Sequence, residues 1–144
     1  MYIDRWKGSR QGQYGADVGV GVGTRLPVHC SAAGKALLAC LPAAEQQNLI
    51  AKLRLTRRAP KTITTRSALR TELGRVSAEG GVAVEDEECS AGRRAIAAPV
   101  VDAEGQPVAV VELVVPAEAY TRPKLLDLAA KVTGTAQRIA EALE

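Results

Sequence analysis

Two apolar runs separated by a five-residue polar link constrain this chain more than any other feature. They are Arg94-Ala95-Ile96-Ala97-Ala98-Pro99-Val100-Val101 and Pro107-Val108-Ala109-Val110-Val111-Glu112-Leu113-Val114-Val115, joined by Asp102-Ala103-Glu104-Gly105-Gln106. Short runs rich in β-branched residues and bounded by turn formers read as strands, and a link of this length makes a hairpin. Just upstream, Gly80-Gly81 ends one element and Val82-Ala83-Val84 starts another strand that runs into Glu85-Asp86-Glu87-Glu88. On a strand Glu85 and Glu87 would share one face, and Asp86 and Glu88 the other. Near the start, Tyr2-Ile3-Asp4-Arg5-Trp6 is strand-like, and residues 9–14 read as a loop. Val18-Gly19-Val20-Gly21-Val22-Gly23 puts every Val on one strand face and leaves room for close approach on the other. Pro27 argues against a central strand at that point.

The remaining segments carry a helical period. A short helix is expected over about 33–40, capped by Ser31 and stopped before Pro42. A second follows Pro42 across Glu45 to Lys52, with Leu49, Ile50 and Leu53 as its apolar stripe. A third spans about 66–79, where Leu69, Leu73 and Val76 fall at i, i+4 and i+7 before Gly80-Gly81. The last runs over about 123–143, with Pro123 suited to its first position. Leu125, Leu128, Val132, Ala136, Ile139 and Leu143 form one stripe along it, which either packs on the sheet or makes a helix–helix dimer contact. The fold class is α+β, in a single domain of 144 residues.

Composition narrows the function. Aromatics make up 3% with no Phe, so the core is built from Val, Leu, Ile and Ala, and stacking platforms for single-stranded nucleic acid are absent. The net charge of +3 is spread thinly, with pairs at Arg57-Arg58 and Arg93-Arg94 but no basic run, a weak case for direct nucleic-acid contact. No apolar run approaches the roughly 20 residues of a membrane helix, and no targeting segment is visible. Cys30, Cys40 and Cys89 are odd in number and widely spaced, so they read as reduced thiols of a cytoplasmic protein.

Most chemical motifs fail on spacing. Gly34-Lys35 lacks the earlier Gly and the following Ser or Thr of a phosphate loop, because His29 and Ala36 stand there. Gly19-Val20-Gly21-Val22-Gly23-Thr24 ends in Thr24 where a dinucleotide fingerprint needs Gly. The one histidine, His29, is read as satisfied at the edge of the core rather than as a ligand or base, and no zinc spacing surrounds it. No cofactor is expected. The acidic run at 85–88 offers paired carboxylates, with a solvated strand end as the plain alternative.

Cys30-Ser31-Ala32-Ala33-Gly34 carries more. The first N–H groups of a helix lack internal partners and bear the positive end of its dipole. Here they sit on very small residues, so a carboxylate or phosphate could reach them. Close packing of a short helix on the sheet explains the small residues equally.

Leu26-Pro27-Val28-His29-Cys30-Ser31-Ala32-Ala33-Gly34-Lys35-Ala36-Leu37-Leu38 resembles a segment of the IclR (isocitrate lyase regulator) family. So do Thr62-Ile63-Thr64, Gly81-Val82-Ala83-Val84-Glu85-Asp86-Glu87-Glu88 and Gly92-Arg93-Arg94-Ala95-Ile96-Ala97-Ala98-Pro99-Val100, in the same order and spacing. The resemblance is to the C-terminal effector-binding domain. It implies a GAF/profilin-like fold, a curved antiparallel sheet of about 5–6 strands flanked by helices. The family's N-terminal winged helix-turn-helix has no counterpart here, so direct nucleic-acid contact by this domain is not expected. The implied partners are a small-molecule effector, an organic acid or aromatic catabolite, and further copies in a dimer or tetramer.

The resemblance also carries site positions. The amides of Ala32 and Ala33, after Ser31, would hold an effector carboxylate. The acidic position is Glu85, where Asp is usual, and Ala95 stands where Cys is frequent. Glu112 and Val114 stand at two polar positions, and Glu112 faces either the pocket or an outward edge. Val18, Gly34 and Arg93 complete the candidate set. If Glu112 enters the pocket, like-charge repulsion favours a ligand with a hydroxyl or amine donor opposite Glu112 and Glu85. The leading expectation is thus an effector sensor without catalysis. The rivals are a small enzyme using Glu85, Glu87 and Cys89, and a dimerisation module without a ligand.

Overall fold

The computed structural model describes residues 23–144. The strand and loop expected over 2–14, the Val–Gly alternation up to Val22, and Val18 as a site residue lie outside the described residues. Within them the order is α1 (Ala32–Cys40), α2 (Ala43–Lys52), α3 (Arg66–Ala78), β1 (Ala83–Asp86), β2 (Arg93–Val101), β3 (Pro107–Pro116), α4 (Arg122–Leu126) and α5 (Ala129–Leu143). The three described strands form one antiparallel sheet in the order β1-β2-β3, against the 5–6 expected for the whole chain. The hairpin is present as read, and Gly105 takes the positive φ its turn requires.

The sheet separates two layers of helix, because alternate strand residues point to opposite faces. On one face Ala83, Ala95 and Ala97 meet Ala32 and Ala36 of α1, with Val76 of α3 beside them. Alanine against alanine lets α1 lie close to the strands. Its start is closer still to the incoming chain. A side chain on Gly34 would bring its first carbon to 2.6 Å from the Val28 carbonyl oxygen, so only glycine fits there. On the other face Val84, Ile96, Ala98, Val100 and Val115 pack with Leu125, Val132 and Ala136 of α4 and α5. A third cluster, Leu38, Ile50, Leu69 and Leu73, joins α1, α2 and α3.

The helix caps follow from the sequence. The Ser31, Thr65 and Thr121 hydroxyls accept from the N–H groups of Gly34, Ala68 and Lys124. The last helix differs from the single span expected. Leu128 N–H bonds to Leu125 O and Lys131 N–H to Leu128 O, both of the tighter i to i+3 kind, and this splits it into α4 and α5. The stripe stays in phase across the break. Leu125, Val132 and Ala136 are buried on the sheet, while Ile139 and Leu143 are 39% and 65% exposed.

The reading of three reduced thiols is corrected. Cys30 and Cys89, 59 positions apart, are joined as a disulfide because the start of α1 and the end of β1 converge, and Cys40 is unbonded. Among the described residues no helix is long and apolar enough to cross a membrane.

Candidate functional site

The amides at the start of α1 are already engaged. Gly34 N–H bonds to Ser31 Oγ at 3.1 Å, and Ser31 Oγ in turn donates to Pro27 O at 2.9 Å. Ala33 N–H donates to Glu112 Oε1 at 3.0 Å. The anion position expected at this helix start is thus taken by a carboxylate of the chain itself. The register explains how it arrives. Ala83, Ala97 and Glu112 form one row across the sheet, and Glu85, Ala95 and Val114 form the next, on the face beneath α1. Ala95 and Ala97 are too small to block the space between the two acids. Of the two orientations open to Glu112, the inward one is found, with its side chain 2% exposed.

Arg93 links the two carboxylates. Its Nε lies 3.0 Å from both Glu85 oxygens, and its Nη2 lies 3.5 Å from Glu112 Oε2. Cys89 N–H adds a bond to Glu85 Oε1 at 3.2 Å. Burial pushes the Glu85 carboxyl upward, against the lowering by Arg93 and Cys89. Burial also dominates at Glu112, where the Ala33 N–H opposes it only in part, and that carboxyl is pushed up to about 7. Arg93 stands at the outer limit of an ion pair with Glu112 and is committed to Glu85, so it does not reverse this.

The sign of that shift sets a testable pH dependence. Glu112 binds its proton more tightly folded, at about 7, than at its ordinary 4.5. Its contribution is fully present below pH 4.5 and is lost as pH rises through 7. Glu112→Gln keeps an acceptor for Ala33 and never ionises. It is expected to match the parent in urea unfolding near pH 4.5 and to exceed it by about 3 kcal/mol at pH 8. A difference that does not change with pH would contradict the assignment.

The acidic run does not alternate as a strand would. Glu87 has φ 55°, so the chain turns there and the facing pattern breaks. Glu85 faces α1, whereas Asp86 and Glu87 pair with Arg94 and Lys61 on the outside. Glu88 comes back inward to Lys35. Glu85 and Glu87 therefore do not share a face, and the Cys89 sulfur is bonded to Cys30 in this structure.

Sequence reasoning passed over Lys35. It is fully buried, and its Nζ donates to Val84 O at 2.6 Å, Glu88 Oε1 at 2.9 Å and Glu72 Oε1 at 3.0 Å. Burial works against the Glu72 charge, but the Arg75 hydrogen bond and the charge of Lys35 hold that carboxyl at about 2. A signal was present, because Lys35 is the one charged residue between Arg25 and Glu45. His29 is buried and its Nε2 bonds to Thr56 O at 3.0 Å, the satisfied core histidine expected.

The described candidates Ser31, Ala32, Ala33, Gly34, Glu85, Arg93, Ala95, Glu112 and Val114 thus gather between α1 and the sheet. A separate cleft of about 450 Å³ opens at the other end of α1. Cys40, Gly81, Pro99 and Gln137 are among its lining, which holds no charged residue.

Comparison with known proteins decides the family. Residues 1–141 match the family described as bacterial transcriptional regulator IclR C-terminal. This chain belongs to the IclR family. It is 38% identical over 122 residues to the HTH-type transcriptional repressor AllR of Klebsiella pneumoniae, covering 85% of this chain and 44% of the repressor. The IclR-family chain therefore spans less than half the length of that curated relative. The crystal structure of Thermotoga maritima IclR superposes with a TM-score of 0.81 at 27% identity, over 90% of this chain and 53% of that one. The inducer-binding domain of the Acinetobacter transcription factor PobR, a double mutant in complex with 3-hydroxybenzoic acid, gives a TM-score of 0.76 at 29% identity. That match covers 89% of this chain and 71% of the PobR chain. The α+β class and the antiparallel sheet with helices on both faces are those of the IclR C-terminal domain.

Proposed function

We propose that this chain is the effector-sensing part of a bacterial transcriptional regulator. A small molecule binds at the start of α1 and shifts the arrangement of a dimer or tetramer, with no chemistry on the ligand. DNA binding would be the work of the portion of such regulators that this chain does not span, which sets the protein to act in the cytoplasm. The observation that carries the reading is the Glu112 carboxylate seated on the Ala33 amide. It supports this helix start as a place built to hold an oxyanion.

The same contact supports a ligand class. A simple carboxylate would have to displace Glu112 and would meet its charge. A hydroxyl or amine donor could instead bond to Glu112 Oε2. Glu85 is a poorer acceptor than first expected, since Arg93 and Cys89 already engage its oxygens. PobR is a relative whose bound 3-hydroxybenzoic acid carries a hydroxyl together with a carboxyl group.

A thermal-shift screen of amines, hydroxylated aromatics and plain carboxylates tests this. A ligand at 100 times its Kd adds about 2.7 kcal/mol, a rise on the order of 10 °C for a chain of this size. Donor-bearing compounds should give that rise with the parent and lose most of it with Glu112→Gln. Plain carboxylates that bind Glu112→Gln no better than the parent would exclude the displacement argument. Turnover of a stabilising compound would exclude a pure sensor, and silence across the library would leave the dimerisation module.

A further inference from the structure

Cys30 and Cys89 sit where the candidate site is held together. They are 0% and 5% exposed, and their Cα atoms are 5.0 Å apart, within the span a disulfide requires. Cys30 immediately precedes Ser31, whose hydroxyl caps α1 and reaches back to Pro27. Cys89 immediately follows Glu88, which holds Lys35 of α1, and its own N–H is given to Glu85. The bond therefore ties the amide-bearing start of α1 to the loop whose Glu88 holds Lys35 of the same helix. Cys40, at the far end of α1, is half-buried and unbonded.

A regulator of transcription works beside DNA, in a compartment that keeps thiols reduced. A disulfide there is normally transient and redox-sensing rather than structural. We infer that Cys30 and Cys89 form a reversible oxidation site for a peroxide-class oxidant, and that its state sets how firmly the α1 start is held for an effector. The effector half of this inference rests on the function proposed above.

The chemistry balances. One cysteine sulfur attacks a peroxide oxygen, the O–O bond breaks, and a sulfenic acid forms as water leaves. The second sulfur attacks the sulfenic sulfur, the S–S bond forms, and the sulfenic oxygen departs as a second water. Two thiols have lost two electrons and two protons, and hydrogen peroxide has become two waters. A dithiol returns both electrons and both protons and is itself oxidised to a disulfide. In the dithiol form the 87–92 loop and the α1 start keep their hydrogen bonds but lose the covalent tie.

The test starts from the folded chain reduced with dithiothreitol and then treated with hydrogen peroxide. Alkylation with maleimide after denaturation should count three thiols before and one after, and Cys30→Ser should form no internal disulfide. Amide hydrogen exchange at residues 28–35 and 85–92 should be at least tenfold slower in the oxidised form and return with dithiothreitol. Three thiols persisting after peroxide, a disulfide that dithiothreitol does not reopen in the folded chain, or equal exchange would overturn the inference. If Cys30→Ser fails to fold, Cys89→Ser replaces it, and the wild-type comparison needs neither. This arm uses no effector, so a chain that binds nothing fails the proposed function while leaving the switch standing. A compound from the thermal screen should then bind the two forms with Kd values at least tenfold apart. Equal values would overturn the regulatory half alone.

Discussion

Replacing Lys35 with methionine is expected to cost about 3–5 kcal/mol, measured by urea unfolding near neutral pH. Methionine fills much of the space of the lysine stem, so little of this loss is cavity. It comes from what the ammonium leaves behind. Glu88 is nearly buried and would lose both of its contacts to Lys35 Nζ, keeping only the Asp86 N–H. The Val84 carbonyl would lose its 2.6 Å partner. Glu72 suffers less, since two Arg75 nitrogens still reach it. The two kinds of loss separate in a double variant. Glu88→Gln keeps an acceptor for Asp86 N–H and removes the stranded charge, so Lys35→Met with Glu88→Gln should recover a large share of the loss. Additive losses would show that the charge pairing contributes little and that Lys35 acts through packing alone.

Lys35 also shows where sequence reading stops. The hairpin, β1 and the first three helices were legible because their signals are local: turn residues at 102–106, apolar spacing, and the cap at Ser31. The IclR resemblance was legible for the same reason, as a set of short segments in order. Locally, Gly34-Lys35 suggests only a phosphate loop, whose spacing it lacks. The real partners of Lys35, Glu72 and Glu88, lie 37 and 53 positions away and are set by packing. The Cys30–Cys89 pairing was hidden for the same reason. The facing pattern of the acidic run failed at Glu87, where a non-glycine residue adopts a positive φ that no local signal announces. The α4/α5 break was invisible because the apolar stripe continues across it in phase. Glu112 was recognisable as odd in an apolar run. Its direction depended on the β2–β3 register, which places it opposite Ala97 and under α1.

Arg93→Met is expected to have a comparably large effect with a different signature. The substitution leaves Glu85, fully buried, and Glu112, 2% exposed at its side chain, facing one another without the guanidinium between them. Removing one member of a buried charge set costs about 3–5 kcal/mol, most of it the burden of the uncompensated charges. Burial already raises both carboxyls, and Glu85, which Arg93 lowers, should rise further without it. A carboxyl whose folded value exceeds its unfolded value is at its best below the unfolded value and loses stability as pH climbs through the folded one. The deficit of Arg93→Met should therefore be small near pH 4.5 and grow steadily to pH 8. Lys35→Met follows the opposite logic at Glu72, which Lys35 helps to hold near 2, and that part of its deficit persists at neutral pH and fades only as acid protonates the carboxyl. Pairing Arg93→Met with Glu85→Gln should restore much of the loss at pH 8 and leave the Ala33–Glu112 contact in place. A deficit independent of pH, or a double variant no better than the single, would mean that Arg93 supports the fold by its stem and that the two carboxylates under α1 are not the coupled pair their geometry indicates.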